Sequence, residues 1–231
     1  MTECKVKEYY VENKQIFDLI AVSQAYFKDL FQEKIKSFII EESNKPISLL
    51  IASYIKDIDE CLICLQAGLL NAVPLLLKKI IETWRYIIYY SKNKNDSLLY
   101  YNNAKDYEKP KSKYLHPKID EIIKEHGIHI LEDFEQKFYK DFLKRIYENV
   151  CSFSHQDITE LKISVLDSDS KINFFINSHK ELLNDYLKTL LILVRIEFET
   201  FGYLNFVDEL FISKYKTLII ELDKFNQSIQ E

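Results

Sequence analysis

The chain has 231 residues, a formal net charge of −5, 47% hydrophobic residues, and only three glycines and four prolines. That apolar share excludes general disorder, and the acidic balance excludes a global basic field for collecting nucleic acid. So few turn residues argue against a sheet protein and for long helices, which makes an all-α chain forming a single helical domain over 1–231 the expectation.

Taken in order, residues 1 to about 35 predict an amphipathic helix, with Phe17, Ile20, Ala21, Tyr26, Phe27, Leu30 and Phe31 recurring at helical spacing. Its break is expected at E-E-S-N-K-P, where Ser43 or Asn44 can cap and Pro46 can sit early in the next helix. That second helix spans roughly 46–67, and Gly68 is its stop signal. A third, about 72–91, reads N-A-V-P-L-L-L-K-K-I-I-E-T-W-R-Y-I-I-Y-Y and is apolar nearly all round, so it belongs in the middle of the molecule. A shorter helix is expected around 96–107, then a polar linker over 108–117 and a two-turn helix from Pro117 to His126 and Gly127. The whole of 92–127 is rich in Lys, Asn and Pro and poor in core residues, the composition of a flexible insertion or flap.

A strong helical period returns over 131–152, carried by Phe134, Phe138, Phe142, Leu143, Ile146 and Val150. Near 161–177 the period changes: L-K-I-S-V-L-D, S-D-S and K-I-N-F-F-I-N predict two short strands and a tight turn, a small β-hairpin insertion. Two helices, 178–203 and 206–228, close the chain, and the very apolar first of them is expected to pack centrally beside 72–91. The segment M-T-E-C-K-V-K-E-Y-Y is charged where a secretory leader has an apolar stretch, and no uncharged run approaches a bilayer span. A cytoplasmic protein without a membrane partner is the expectation.

Two places gather chemistry. The polar interruptions of the third helix are Lys78, Lys79, Glu82 and Arg85; Lys78, Glu82 and Arg85 fall at i, i+4 and i+7, on one face. A buried Glu82 paired with Lys79 or Arg85 makes a structural ion pair, whereas the same strip facing a cleft makes an anion or phosphate site in which Arg85 supplies a planar fork and Lys78 and Lys79 supply charge. Only three of the 31 basic residues are arginine, Arg85, Arg145 and Arg195; the last two have Glu148 and Glu199 three and four positions on, while Glu82 precedes Arg85 by three. The second place is C-S-F-S-H-Q-D, where Ser152, Ser154, His155 and Asp157 bring hydroxyls, an imidazole and a carboxylate to a helix end. His155 can serve there as a C-terminal cap or as a displayed functional group.

Other signals point to packing. Cys61 and Cys64 form C-x-x-C inside a helical pattern with no second pair, as two small core side chains do. His126 and His129 straddle a glycine without acidic or thiol partners at zinc spacing, so no metal site is expected. Three glycines cannot supply a phosphate-cradling loop, and no cofactor is expected. The 16 tyrosines read mostly as core, with Tyr89, Tyr90, Tyr100 and Tyr101 also able to line a base-stacking groove.

A-V-P-L-L-L-K-K-I-I-E-T-W-R-Y-I-I-Y-Y is similar to an L-L-R-x-x-x-E-x-x-x-x-x-x-Y helix, and Y-E-N-V-C-S-F-S-H is similar to a Y-x-x-x-S-x-x-x-H helix end. Together these segments resemble the HEPN-like helical proteins of bacterial defence and abortive-infection systems. The resemblance implies an antiparallel helical bundle, often a homodimer, and in active members metal-independent RNA cleavage by an arginine followed four to six residues later by a histidine. This chain departs from that motif: Arg145 precedes His155 by ten positions, and Lys78 or Lys79 stands where the central-helix arginine would be. A catalytic centre is therefore expected only as a composite of His155 with Arg85 or Lys79, supported by Glu82. Lys78, Lys79, Ser152, Ser154 and Asp157 would then contact RNA, a nucleotide or another anion. The competing expectations are a non-catalytic dimer or regulator of a protein encoded by a neighbouring gene, and a sensor of a small anionic ligand.

Overall fold

The computed structural model describes residues 8–69, 72–104, 107–111 and 180–230. These residues are predominantly helical, and no strand occurs among them. The hairpin expected at 161–177, and the helices expected at 117–127 and 131–152, lie outside the described residues.

Helix α1 (Lys14–Phe38) turns Ile16, Phe17, Ile20, Tyr26, Phe27 and Leu30 inward and its charged residues outward, as the 3.6-residue period dictates. Residues 8–12 are helical too, but Asn13 breaks the run, its side-chain amide bonding Tyr9 O at 3.0 Å. A 3₁₀ turn, Glu42–Asn44, leads into α2 (Lys45–Gln66), with Pro46 in the first turn where a missing N–H costs nothing. Gly68 ends that helix at φ 71°, a backbone region that a Cβ penalises. The chain then folds back so that Leu69 N reaches Cys64 O at 2.8 Å and Gly68 N reaches Leu65 O at 3.2 Å.

Helices α3 (Val73–Lys92) and α5 (Lys180–Tyr203) are the interior rods, and they pack on one another. Every residue from Thr83 to Tyr90 in α3 and from Thr189 to Phe201 in α5 is buried, as expected of helices that are apolar all round. Helix α2 packs on both, α1 lies against α2 and α5, and α6 (Phe211–Gln230) lies along α5 and α1. An aromatic knot ties these together: Phe27 meets Phe198 and Phe201 at 4.4 and 4.8 Å between ring centres, and Phe198 meets Phe211 at 5.4 Å. Burying each such ring contributes about 1.5–3 kcal/mol.

Besides the break at Asn13 in the first expected helix, two helices have ends other than those expected. The short helix α4 (Lys94–Tyr101) starts two residues earlier than 96 and stops well before 107, because Asn103 takes φ 52° and Ala104 N bonds back to Leu99 O at 3.1 Å. It is seated on the 3₁₀ turn through buried Ser97, whose hydroxyl donates to Ser43 O at 2.6 Å. Helix α6 begins at Phe211 rather than 206. Asn205, at φ 59°, closes α5, and Asp208 holds the turn by accepting from Leu210 N at 2.9 Å and from the Tyr26 hydroxyl at 2.7 Å.

Candidate functional site

One residue of the polar strip of α3 is paired across to the neighbouring helix. Lys79 reaches α2: its ammonium lies 2.7 Å from Asp57 Oδ1 while its side chain stays 54% exposed, and Asp57 is wholly buried. Ser53 adds a bond to the other Asp57 oxygen at 3.3 Å. Lys79 thus pairs with Asp57, 22 positions away across the helix pair. Lys78 and Glu82 are half-buried.

Arg85 is the largest completely buried side chain among the described residues, at 0% exposure. A guanidinium keeps its charge at any physiological pH and carries five donors, so burying it is tolerated only where acceptors surround it. His155, Ser152, Ser154 and Asp157, the other half of the expected site, lie outside the described residues.

Helix α5 carries further buried polar groups, of which only Arg195 and Glu199 are visible as a spacing in the sequence. Arg195 Nε donates to Glu199 Oε1 at 3.2 Å, and the Tyr215 hydroxyl from α6 donates to the same oxygen at 3.1 Å. Burial first, and then the Glu199 charge, push the Tyr215 hydroxyl well above its ordinary pKa. Between Arg195 and Glu199 in the chain, Glu197 accepts at Oε2 from Gln24 Nε2 of α1 at 2.6 Å. Trp84 of α3 donates its indole N–H to Thr200 Oγ1 at 3.1 Å, and the Tyr54 hydroxyl donates to Leu193 O at 2.8 Å. A cavity of ≈ 10 Å³ lies among Tyr54, Trp84, Glu197 and Thr200.

Near the end of α3, tyrosines form a shelf. Tyr86, Tyr90 and Tyr100 stack in near-parallel planes, Tyr86 to Tyr90 at 5.9 Å and Tyr90 to Tyr100 at 5.1 Å. Lys109 rests its ammonium 4.0 Å from the centre of the Tyr86 ring and 5.2 Å from that of Tyr100. Burial lowers the Lys109 pKa, and the Glu82 carboxylate opposes that shift. The Tyr86 hydroxyl donates to Pro110 O at 2.7 Å, and the Tyr90 and Tyr107 hydroxyls lie 2.9 Å apart. Tyr90 has no exposed surface and Tyr86 little, so these two rings are packed rather than offered to a base.

Cys61 is buried, Cys64 is half-buried, and both are free thiols. Burial raises both above the ordinary thiol pKa, which suits core packing and not nucleophilic chemistry. Among the described residues no group of three His, Cys, Asp or Glu side chains is placed to hold a metal ion, and no helix is long and apolar enough to cross a membrane.

Comparison with known proteins finds no matching family model, no matching curated protein and no matching solved structure.

Proposed function

We propose that the chain is a HEPN-like helical module of a bacterial defence or toxin–antitoxin-type system, and that it works as a non-catalytic interaction or regulatory protein. In this reading the helices form an antiparallel bundle acting in the cytoplasm, as a homodimer or against a protein encoded beside it. The two segments with HEPN-like spacing support the family. The single observation that carries the non-catalytic choice is Arg85: the guanidinium that a composite centre with His155 needs has no solvent-facing surface. Lys79, the substitute cation, is engaged by Asp57. The surface offered to a partner includes exposed Ile63, Leu69 and Leu75, at the corner where α2 gives way to α3.

A second reading, RNA or nucleotide contact through Lys78 with Glu82 and His155 as the reacting groups, is favoured by the half-buried rather than sealed position of Lys78 and Glu82. Incubating structured RNA with the purified chain and with its His155→Ala and Arg85→Lys variants separates the two. The expected result is no cleavage by any of them. Cleavage by the parent that either substitution abolishes overturns the non-catalytic reading. Light scattering on the parent and on Ile63→Glu/Leu75→Glu gives the second measurement, with loss of self-association expected in the double variant.

A further inference from the structure

The bond between Gln24 and Glu197 leaves an imbalance. Both side chains have 1% exposure, and Gln24 Nε2 donates to Glu197 Oε2 at 2.6 Å. The remaining oxygens, Gln24 Oε1 and Glu197 Oε1, are buried with no hydrogen-bond partner among the described residues. An ionised carboxylate can only accept, so both orphans are acceptors and neither can serve the other. Leaving each buried and unmet is unfavourable, and more so for a charged group.

Among the described residues, the donors near Glu197 on the elements packed around it are bonded elsewhere. On α1, Lys28 lies 2.5 Å from Asp59 of α2. The Tyr54 hydroxyl on α2 is given to Leu193 O, and the Trp84 N–H on α3 to Thr200. The Thr200 hydroxyl goes to Ile196 O at 2.8 Å, and Glu199, the nearest acid on α5, accepts from Arg195 and Tyr215. One added proton removes both orphans. Placed on Glu197 Oε1 it becomes a donor to Gln24 Oε1, while Gln24 Nε2 still donates to Glu197 Oε2, as in a carboxylic acid–amide ring.

We propose that Glu197 is carried as a neutral carboxylic acid, its proton held between its own Oε1 and Gln24 Oε1, and that this two-bond pair makes the α1–α5 seam the pH-sensitive joint of the fold. Burial acts the same way, holding the Glu197 carboxyl well above the ordinary carboxylate pKa, with the Gln24 bond and Lys28 opposing and Asp59 assisting. Because the folded value lies above the unfolded one, the pair's stabilisation is complete below the ordinary value of 4.5 and is lost as pH rises towards the folded value.

Glu197→Gln tests this, since an amide at 197 can keep both bonds and has no proton to lose. The ratio of the parent's unfolding constant to the variant's is expected to rise roughly tenfold per pH unit from about pH 5 upward, flattening where Glu197 ionises in the folded protein. A ratio that does not change with pH, or that falls, overturns the proposal. A readout on the unmodified chain covers the case in which the variant does not fold. Infrared or carboxyl ¹³C spectra near neutral pH are expected to show one protonated carboxylic acid, and the absence of that signal overturns the proposal equally.

Discussion

Asp57 shows what the interior does with a charge it cannot expose. Its carboxylate is wholly buried, and the cation that meets it comes from the neighbouring helix on a side chain still 54% exposed. Lys79→Ala would leave that carboxylate with Ser53 alone among the described residues, at 3.3 Å. A loss of about 1–3 kcal/mol is expected in urea unfolding, the cost of a buried acceptor left short of donors, whereas the same change at exposed Lys56 should stay within about 0.5 kcal/mol. A Lys79→Ala effect as small as the Lys56 control would show that Asp57 does not depend on the pair. How far such contacts can be read from sequence depends on chain separation. Arg195 and Glu199 are four apart on one helix, so their pairing is visible in the spacing. Asp57 and Lys79 are 22 apart, and Gln24 and Glu197 173 apart, so these contacts exist only once two helices have chosen their facing sides. The same limit holds for Arg85: its helix and its central place follow from the apolar run, but its complete burial does not, because an Arg at that spacing suits a cleft equally well.

At the scale of elements, helix interiors follow from periodicity, and the third helix and Gly68 fall where the pattern places them. The boundaries misjudged beside an asparagine are the end of α4 and the start of α6, while α5 stops at Tyr203 as expected. A chain with three glycines has few of the usual left-handed stops, and Asn103 and Asn205 take that role at φ 52° and 59°. Asn is tolerated there because its short polar side chain offsets part of the Cβ strain, but it is common enough elsewhere that its presence does not mark a helix end as glycine does. Asn205→Ala should therefore destabilise by about 1 kcal/mol, while Asn205→Gly should be neutral or stabilising by a few tenths. Thermal unfolding of the two variants checks this. If Ala and Gly behave alike, the left-handed residue is not what holds the α5–α6 corner.

At the scale of the whole molecule, the buried side chains of α1, α2, α3, α5 and α6 form one continuous hydrophobic cluster, so these helices should lose structure together and not in turn. Phe198 lies near the cluster's centre, wholly buried and in ring contact with Phe27 of α1 and with Phe211 and Tyr215 of α6. Phe198→Ala removes a ring from a site walled by three helices that cannot all close over the void, and a cost of about 3–5 kcal/mol is expected. Phe198→Leu keeps most of the volume and should cost much less. Trp84, the chain's single tryptophan, is buried on α3 against Thr200, on the α3–α5 seam rather than in the aromatic knot. It therefore reports from a place that the substitution does not touch. With a shared core, Trp84 fluorescence and amide exchange in α1 and α6 should shift by the same free energy in Phe198→Ala. If exchange in α1 and α6 accelerates while the Trp84 transition stays where it was, the outer helices open as a separate unit. The α2–α3–α5 interior that buries Arg85 and Asp57 would then be stable without them.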